Sequence, residues 1–477
     1  MKFIRLLIKS LLGLIIAILL FISGVLWVDS INTDYLSIDR DDSSAIDTYL
    51  ITNAHVIPMD QDTVLRNKMI FIQGGIIQEI ADSILVNHVQ VFDAKNNFVV
   101  PGLIDMHVHV WDRYELGLYL SNGVTAVRNL WGMPMHLRIK NDITANRIYS
   151  PNFITSGPKL TGSEFIGDDN LNLYHPTEAR KKIIRYKERG YDLIKTYYGL
   201  EKEIFDAVIE QAMISGMDIA SHPSQKVPFT YHVHPQIKSI EHAEEIVQQP
   251  LSFNLDTLQL KTIVDTLSKF EHVRYSPTLT VFNNIYQMMM DEDILDSELL
   301  GYMNPLIKEV DTQSQYDRWF TAKQNDSTVV ERIKNQDQFH RTILGKLHEA
   351  NIGIISGTDA GIGVTVPGFS IHQELAFYKE SGLSNYEVLK TATVNPSKTH
   401  AIFKNLGTIQ EGKLANILIV ESNPLMDIAA LEQPAFVFIK GRQLNRTTLD
   451  NFEQKALNRN NLIATGIRYI ENLLVEK

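Results

Sequence analysis

Cysteine is absent from this 477-residue chain. That removes disulfides, thiol nucleophiles, thiolate zinc sites and a lipidated N-terminal cysteine together. Any metal must then be held by nitrogen or oxygen ligands from His, Asp, Glu or a modified Lys. Positive charge is also in deficit: the net charge is −11 and the pI about 5.8. Such a surface repels phosphate backbones, so no nucleic-acid partner is expected. A third absence is of any charge between Leu11 and Val28, "LLGLIIAILLFISGVLWV". Eighteen helical residues span about 27 Å, close to the bilayer core. Lys2, Arg5 and Lys9 precede the run, and Asp29 and Asp34 follow it. The positive-inside rule then puts the short N-terminus in the cytoplasm and the bulk on the exported side, periplasmic or extracellular. No clear small-x-small site follows the run, which favours an uncleaved signal anchor over residues 1–30. The alternative is secretion after signal-peptide cleavage. Residues 31–47, polar and acidic, read as a tether.

Length suits one large domain with accessories. Residues 49–57, "YLITNAHVI", and 69–80, "MIFIQGGIIQEI", read as strands around a Gly74-Gly75 turn, and "VFDAKNNFVVPG" leads on from them. Near the other end, "LGTIQEGKLANILIVESNP" (406–424) and "AFVFIKGRQL" (435–444) read the same way. One small β domain built from both chain ends, 48–100 with 405–446, is expected. Residues 447–477 have helical spacing and are expected to pack on the outside. From 101 to 404 short apolar runs alternate with helical segments. In "EKEIFDAVIEQAMISG", apolar residues at 204, 205, 208, 209, 212 and 213 make one helical stripe that ends at Ser215-Gly216. Eight such runs over about 300 residues predict the α/β class, specifically a (β/α)8 TIM barrel.

The first run is "PGLIDMHVHV", residues 101–110. Strand side chains alternate faces, so His107 and His109 point the same way at a strand end. In this architecture, strand ends on the C-terminal face build the active site. Lys195 closes "YDLIK", His222 closes "DIASH", His242 closes "SIEH", and Asp359 sits in "GTDAG" after the eighth run. Four histidines, one lysine and one aspartate thus converge on one rim, and imidazole with carboxylate suits zinc or a similar divalent ion. Between 242 and 359 the chain is longer than two repeats need. The excess, about 285–340, is expected as a lid, a substrate wall or outer packing, with Trp319 and Phe320 as candidates to line it.

Taken in order, "VVPGLIDMHVH", "GVTAVRNL", "DLIKTYY", "SIEH", "GTDAG" and "LGTIQEGKLANILIVESNPL" resemble the amidohydrolase superfamily. More narrowly, they resemble its imidazolonepropionase-like branch, which includes Xaa-Pro dipeptidases. The resemblance runs from about residue 49 to 445 and implies a small β-sandwich beside the barrel. It implies two divalent metal ions, with zinc as the default. His107 and His109 would bind the first, His222 and His242 the second, and a carboxylated Lys195 would bridge them. Asp359 would ligate the first ion and act as general base toward a hydroxide between the metals. Two motifs depart from the family. Its Gly-Gly-His after the third strand is replaced by "LTGSEFIGDD" (160–169), and its C-terminal Gly-Lys-x-Ala-Asp has Asn416 in place of Asp.

The resemblance implies hydrolysis of a C–N amide bond in a dipeptide or an N-acyl amino acid. Alternatives are a mononuclear enzyme that opens a cyclic amide or amidine or deaminates a heterocycle, and a non-catalytic membrane-anchored binding protein. A substrate carboxylate calls for Arg or Tyr donors; Arg128, Tyr197 and Tyr198 are the candidates. His232 and His234 form a second His-x-His between Pro228 and Pro235 and read as a loop feature. His372 reads as a helix-start residue.

Overall fold

The structure is a computed structural model that describes residues 2–38, 48–162 and 170–476. Its first element is a helix, Lys2–Asn32. With a mean hydropathy of 2.8, it is long and apolar enough to cross a membrane, a property that signal sequences share. Residues 33–38, the first part of the stretch read as a tether, lie against the folded domain. The Ile38 N–H donates to the Arg147 carbonyl (2.9 Å), and the Tyr149 N–H to that of Leu36 (2.7 Å). The remainder of that stretch, 39–47, lies outside the described residues.

Both chain ends build one eight-stranded sheet. The ends meet where Phe98–Pro101 pairs antiparallel with Ile417–Val420, in the register Ile417–Pro101 to Val420–Phe98. The hairpin Leu65–Gln73/Ile76–Ala81 turns at Gly74 and Gly75, both at positive φ (60° and 72°), as a tight two-residue turn demands. Its outer strand returns to bond residues 412–415, Ile77 N–H to the Lys413 carbonyl at 2.9 Å and Ala415 N–H to that of Gly75 at 2.8 Å. The sheet thereby folds over one apolar core that includes Ile51, Val56, Ile72, Val99, Ile417 and Phe438. A Cβ at Gly75 would stand 2.5 Å from the Lys440 carbonyl oxygen. Gly75→Ala should therefore lower stability by about 1–3 kcal/mol, read as a drop in the thermal unfolding midpoint.

In the middle of the chain, parallel strands alternate with helices. Leu103–Val108, Val124–Asn129 and Asn152–Thr155 form one sheet. Leu193–Thr196, Asp218–Ser221, Ile237–Glu241, Arg274–Ser276 and Gly353–Ile354 form another, which also carries the short strands Lys159–Gly162 and Asn170–Leu173. The sheets meet at both margins, by parallel bridges Ser156–Leu193 and Val108–Ala360. The first strand is laced to the eighth: Met106 N–H bonds the Ser356 carbonyl (2.9 Å), Asp359 N–H that of His107 (2.8 Å) and His109 N–H that of Ala360 (2.8 Å). All of Leu103–Val108 and Val124–Asn129 is buried, as expected of parallel strands covered on both faces. The helices stop where the sequence says they should. Pro176–Arg189 ends at Gly190 and Lys202–Ser215 at Gly216, each left-handed.

In the 285–340 insertion the helix Gln313–Asn325 is followed by the start of a long helix, Val329–Glu349, which runs on past it toward the eighth strand. Its polar residues clasp the loop after Asp359. Thr312 Oγ1 donates to the Gly363 carbonyl (2.5 Å), and the Gly363 N–H donates to Asp311 Oδ2 (2.7 Å).

Candidate metal centre

Strand ends carry the cluster. His107 Nε2 lies 3.3 Å from Asp359 Oδ1, and His109 Nε2 lies 2.7 Å from the same oxygen. His242 Nδ1 lies 3.8 Å from Asp359 Oδ2 and 2.9 Å from Thr278 Oγ1. Ligand atoms of His107, His242 and Asp359 all fall within 4.8 Å of one another, so these three could hold a metal ion. The His222 ring packs on that of His242, with centroids 4.5 Å apart. Lys195 is 1% exposed, and its Nζ has no hydrogen-bond partner among the described residues. Burial pushes the Lys195 amine down to about 8. An unsatisfied buried amine is costly, so this one needs a partner of some kind. Burial opposes ionisation of Asp359, yet His107, His109 and His242 together hold its carboxyl well below the usual range. The donor set therefore fits a divalent cation in both residue type and charge.

The backbone is bent to achieve this. His242 (φ 69°), Thr278 (φ 49°) and Asp359 (φ 61°) are all left-handed although none is glycine. Each such residue costs about 1–3 kcal/mol, and such strain gathers at functional sites. Asp105 ties the two laced strands together. Its carboxylate accepts from the backbone N–H of His107 (3.2 Å) and Thr358 (3.1 Å) and from Thr358 Oγ1 (2.7 Å).

A layer of carboxylates beneath the histidines was not foreseen from the sequence. His107 Nδ1–H donates to Glu241 Oε2 at 2.8 Å, which leaves Nε2 facing Asp359. Glu241 is fully buried. Burial opposes its charge, but Arg128 and His107 outweigh that and hold its carboxyl well below the ordinary range. His222 Nε2 lies 3.0 Å from Glu245 Oε1, which also accepts from Tyr198 Oη at 2.8 Å. Carboxylate–imidazole pairs of this kind set ring orientation and tautomer in metal sites. Glu244 sits half-buried beside them. Burial, with the Glu245 and Asp359 carboxylates, raises it to about 8, and Arg318 from the insertion acts the other way.

The other sequence candidates divide. Arg128, expected to meet a substrate carboxylate, is fully buried beneath the site. It donates to the Met106 carbonyl (2.6 Å), Ser239 Oγ (2.8 Å) and Glu241 Oε1 (2.8 Å), so its nitrogens are committed to the protein. That expectation is corrected: Arg128 holds Glu241 rather than lining the opening. Tyr197 and Tyr198 both pack against His222, tilted and edge-on, with ring centroids at 4.4 and 4.3 Å. Lys159, which the sequence did not single out, lies 4.8 Å over the Tyr197 ring and 5.7 Å over that of Trp131, itself 6.4 Å from His109. His232 is a buried packing residue bonded to Ser221 Oγ (2.9 Å), and His234 accepts from the Gln236 N–H (3.1 Å). His372 bonds the Asn122 carbonyl (3.1 Å) on a helix that starts at Ser370. Trp319 and Phe320 are half-buried on the insertion, where Phe320 stacks with Tyr316 at 5.6 Å. Asn416 ties the small sheet to strand Val124–Asn129: its Nδ2 donates to the Thr125 carbonyl at 3.3 Å, and its Oδ1 accepts from the Lys440 N–H at 3.0 Å. Most of "LTGSEFIGDD", residues 163–169, lies outside the described residues.

A sequence model of the Amidohydrolase family matches residues 296–444. A 5-methylthioadenosine/S-adenosylhomocysteine deaminase of Pyrococcus furiosus is 22% identical over 78% of this chain and 86% of its own length. A dihydroorotase of Carboxydothermus hydrogenoformans is 44% identical, but over only 13% of this chain and 14% of its own. Among solved structures, a Xaa-Pro dipeptidase with bound methionine in its active site superposes with a TM-score of 0.64 at 20% identity, covering 83% of this chain and all of that one. A bottromycin amidohydrolase gives 0.72 at 21% identity, over 89% and 92%.

Proposed function

Because the chain belongs to the amidohydrolase superfamily and is a hydrolase of that kind, we propose that it cleaves the C–N amide bond of a small substrate, a dipeptide of Xaa-Pro type or an N-acyl amino acid. The two sheets, joined at both margins, are read as a (β/α)8 barrel beside the small β domain. His107, His109 and Asp359 would hold one divalent ion and His222 and His242 a second, with a carboxylated Lys195 between them and zinc as the default metal. Bound there, the ions supply Lewis acidity and make water nucleophilic at neutral pH.

The chain's own groups do the rest. Asp359 takes the proton of the attacking water and returns it to the leaving nitrogen. Glu241, charged and anchored by Arg128, fixes the His107 tautomer so that Nε2 faces the site. On His222 it is Nε2 that meets a carboxylate, Glu245 Oε1 at 3.0 Å, which orients that ring with Nδ1 turned the other way. Tyr197, Trp131 and Lys159 form a wall whose cation suits a substrate carboxylate. The domain would stand on the exported side of a membrane, anchored by Lys2–Asn32.

The observation that carries this reading is the buried Lys195 amine, without a hydrogen-bond partner among the described residues and within the field of Asp359 in the His107–His242–Asp359 cluster. A second reading, a mononuclear deaminase, draws support from the Pyrococcus relative. Full-length protein supplied with zinc and bicarbonate is assayed against Xaa-Pro dipeptides, N-acyl amino acids and 5-methylthioadenosine. Release of free amino acid, abolished by Lys195→Ala, is the expected result. Ammonia release that survives Lys195→Ala would select the deaminase instead.

A further inference from the structure

The C-terminal helix, Leu462–Glu476, is inside out. Its polar residues face the protein: Thr465 is 1% exposed, Asn472 2% and Glu476 1%. Thr465 Oγ1 accepts from Asn304 (2.9 Å), and Glu476 accepts from Tyr191 Oη (2.7 Å) and Arg189 (2.9 Å). Its large apolar residues face outward: Ile463 is 54% exposed, Ile470 56% and Leu474 81%. With Ile467 they recur at i, i+4, i+7 and i+11, a single stripe along the helix. A contiguous apolar face turned away from a protein marks a surface with a partner.

The N-terminal helix indicates which partner. Its C-terminal part packs against this same stripe. Asp29 pairs with Arg468 (2.5 Å), and a groove of about 520 Å³ beside the two helices has Ile22, Leu26, Ile467, Ile470 and Leu474 on its apolar side and Arg113, Arg138 and Glu471 on its polar side. The uncharged run Leu11–Val28 reaches about 27 Å and has no length to spare across a hydrocarbon core of about 30 Å. Ile22 and Leu26 must then lie within the acyl region, and Ile470 and Leu474, the exposed apolar side chains that line the groove with them, lie at its border.

We propose that the C-terminal helix is a second membrane element, lying in the plane of the leaflet from which the N-terminal helix emerges, with Ile463, Ile470 and Leu474 in the lipid. This rests on the reading of Lys2–Asn32 as an anchor. Helices of this kind bury their apolar face about 5–10 Å deep. With the Asp29–Arg468 pair joining the two elements, the catalytic domain is held at a fixed height and tilt above the bilayer rather than on a free tether.

The chain has no cysteine, so single-cysteine variants report one place each. Full-length Leu474→Cys, Leu14→Cys and Met426→Cys, all exposed positions, are labelled with bimane and reconstituted in phosphatidylethanolamine/phosphatidylglycerol vesicles that contain acyl-chain spin-labelled lipid. Leu14 and Leu474 labels should each lose more than half their fluorescence, and the Met426 label almost none. Quenching at Leu14 with none at Leu474 would overturn the inference while leaving the anchor intact. So would Leu474→Cys forming a disulfide-linked dimer without quenching, which would make a second copy the occupant. No quenching at either position would remove the anchor, and the inference with it.

Discussion

Asp359→Asn should lower kcat/KM by about 10³-fold, the scale of a lost general base, with the fold intact and metal largely retained. Asparagine keeps the size of the side chain and one oxygen toward His107 and His109, which Asp359 meets at 3.3 and 2.7 Å. It cannot take a proton from water. Asp359 also stands at a positive φ of 61°, where asparagine is among the better-tolerated residues. The substitution therefore changes proton transfer more than backbone geometry. Elemental analysis alongside the kinetics separates the two roles of the residue. Turnover like that of the wild type, with metal retained, would remove Asp359 as the base.

The second large effect concerns stability. Arg128→Met should cost about 3–5 kcal/mol, because it strands the Glu241 carboxylate in the interior. Both side chains of that pair are 0% exposed and meet at 2.8 Å. The double variant Arg128→Met with Glu241→Gln should recover part of the loss, since no buried charge is then left unpaired. It should still bind metal about 10–100-fold more weakly, because His107 has lost the carboxylate that orients it. Urea unfolding midpoints and a metal titration read the two effects separately. An Arg128→Met midpoint within error of the wild type would mean that the pair adds nothing to stability.

These two residues also show how far the sequence could be read. His107 and His109 were legible as a pair because strand alternation puts both on one face, and the structure brings them together with His242 and Asp359. Lys195, His222 and His242 were legible because each closes an apolar run. Alternation misleads at Glu241. As the neighbour of His242 it should point the other way, yet the left-handed φ at His242 turns the backbone and both side chains serve the same cluster. Only the acids in "SIEHAEE" hinted at the carboxylate layer. Arg128 illustrates the opposite error. A strand-end arginine reads as a donor to substrate, but strand Val124–Asn129 is buried along its whole length, and the guanidinium runs inward to Ser239 and Glu241. Lys159 carried no periodic signal, because its short strand is an addition beside Leu193–Thr196 rather than one of the eight repeats. The C-terminal helix was legible by its spacing. Which face it buries was not, because its polar partners Asn304, Tyr191 and Arg189 come from distant parts of the chain.

In the proposed function Lys195 helps to hold a pair of metal ions. Metal content per chain, by elemental analysis of the full-length wild type beside Lys195→Ala, tests it most directly. About two ions per chain in the wild type, falling sharply in the variant, is the expected result. About one ion per chain, unchanged in Lys195→Ala, would contradict it.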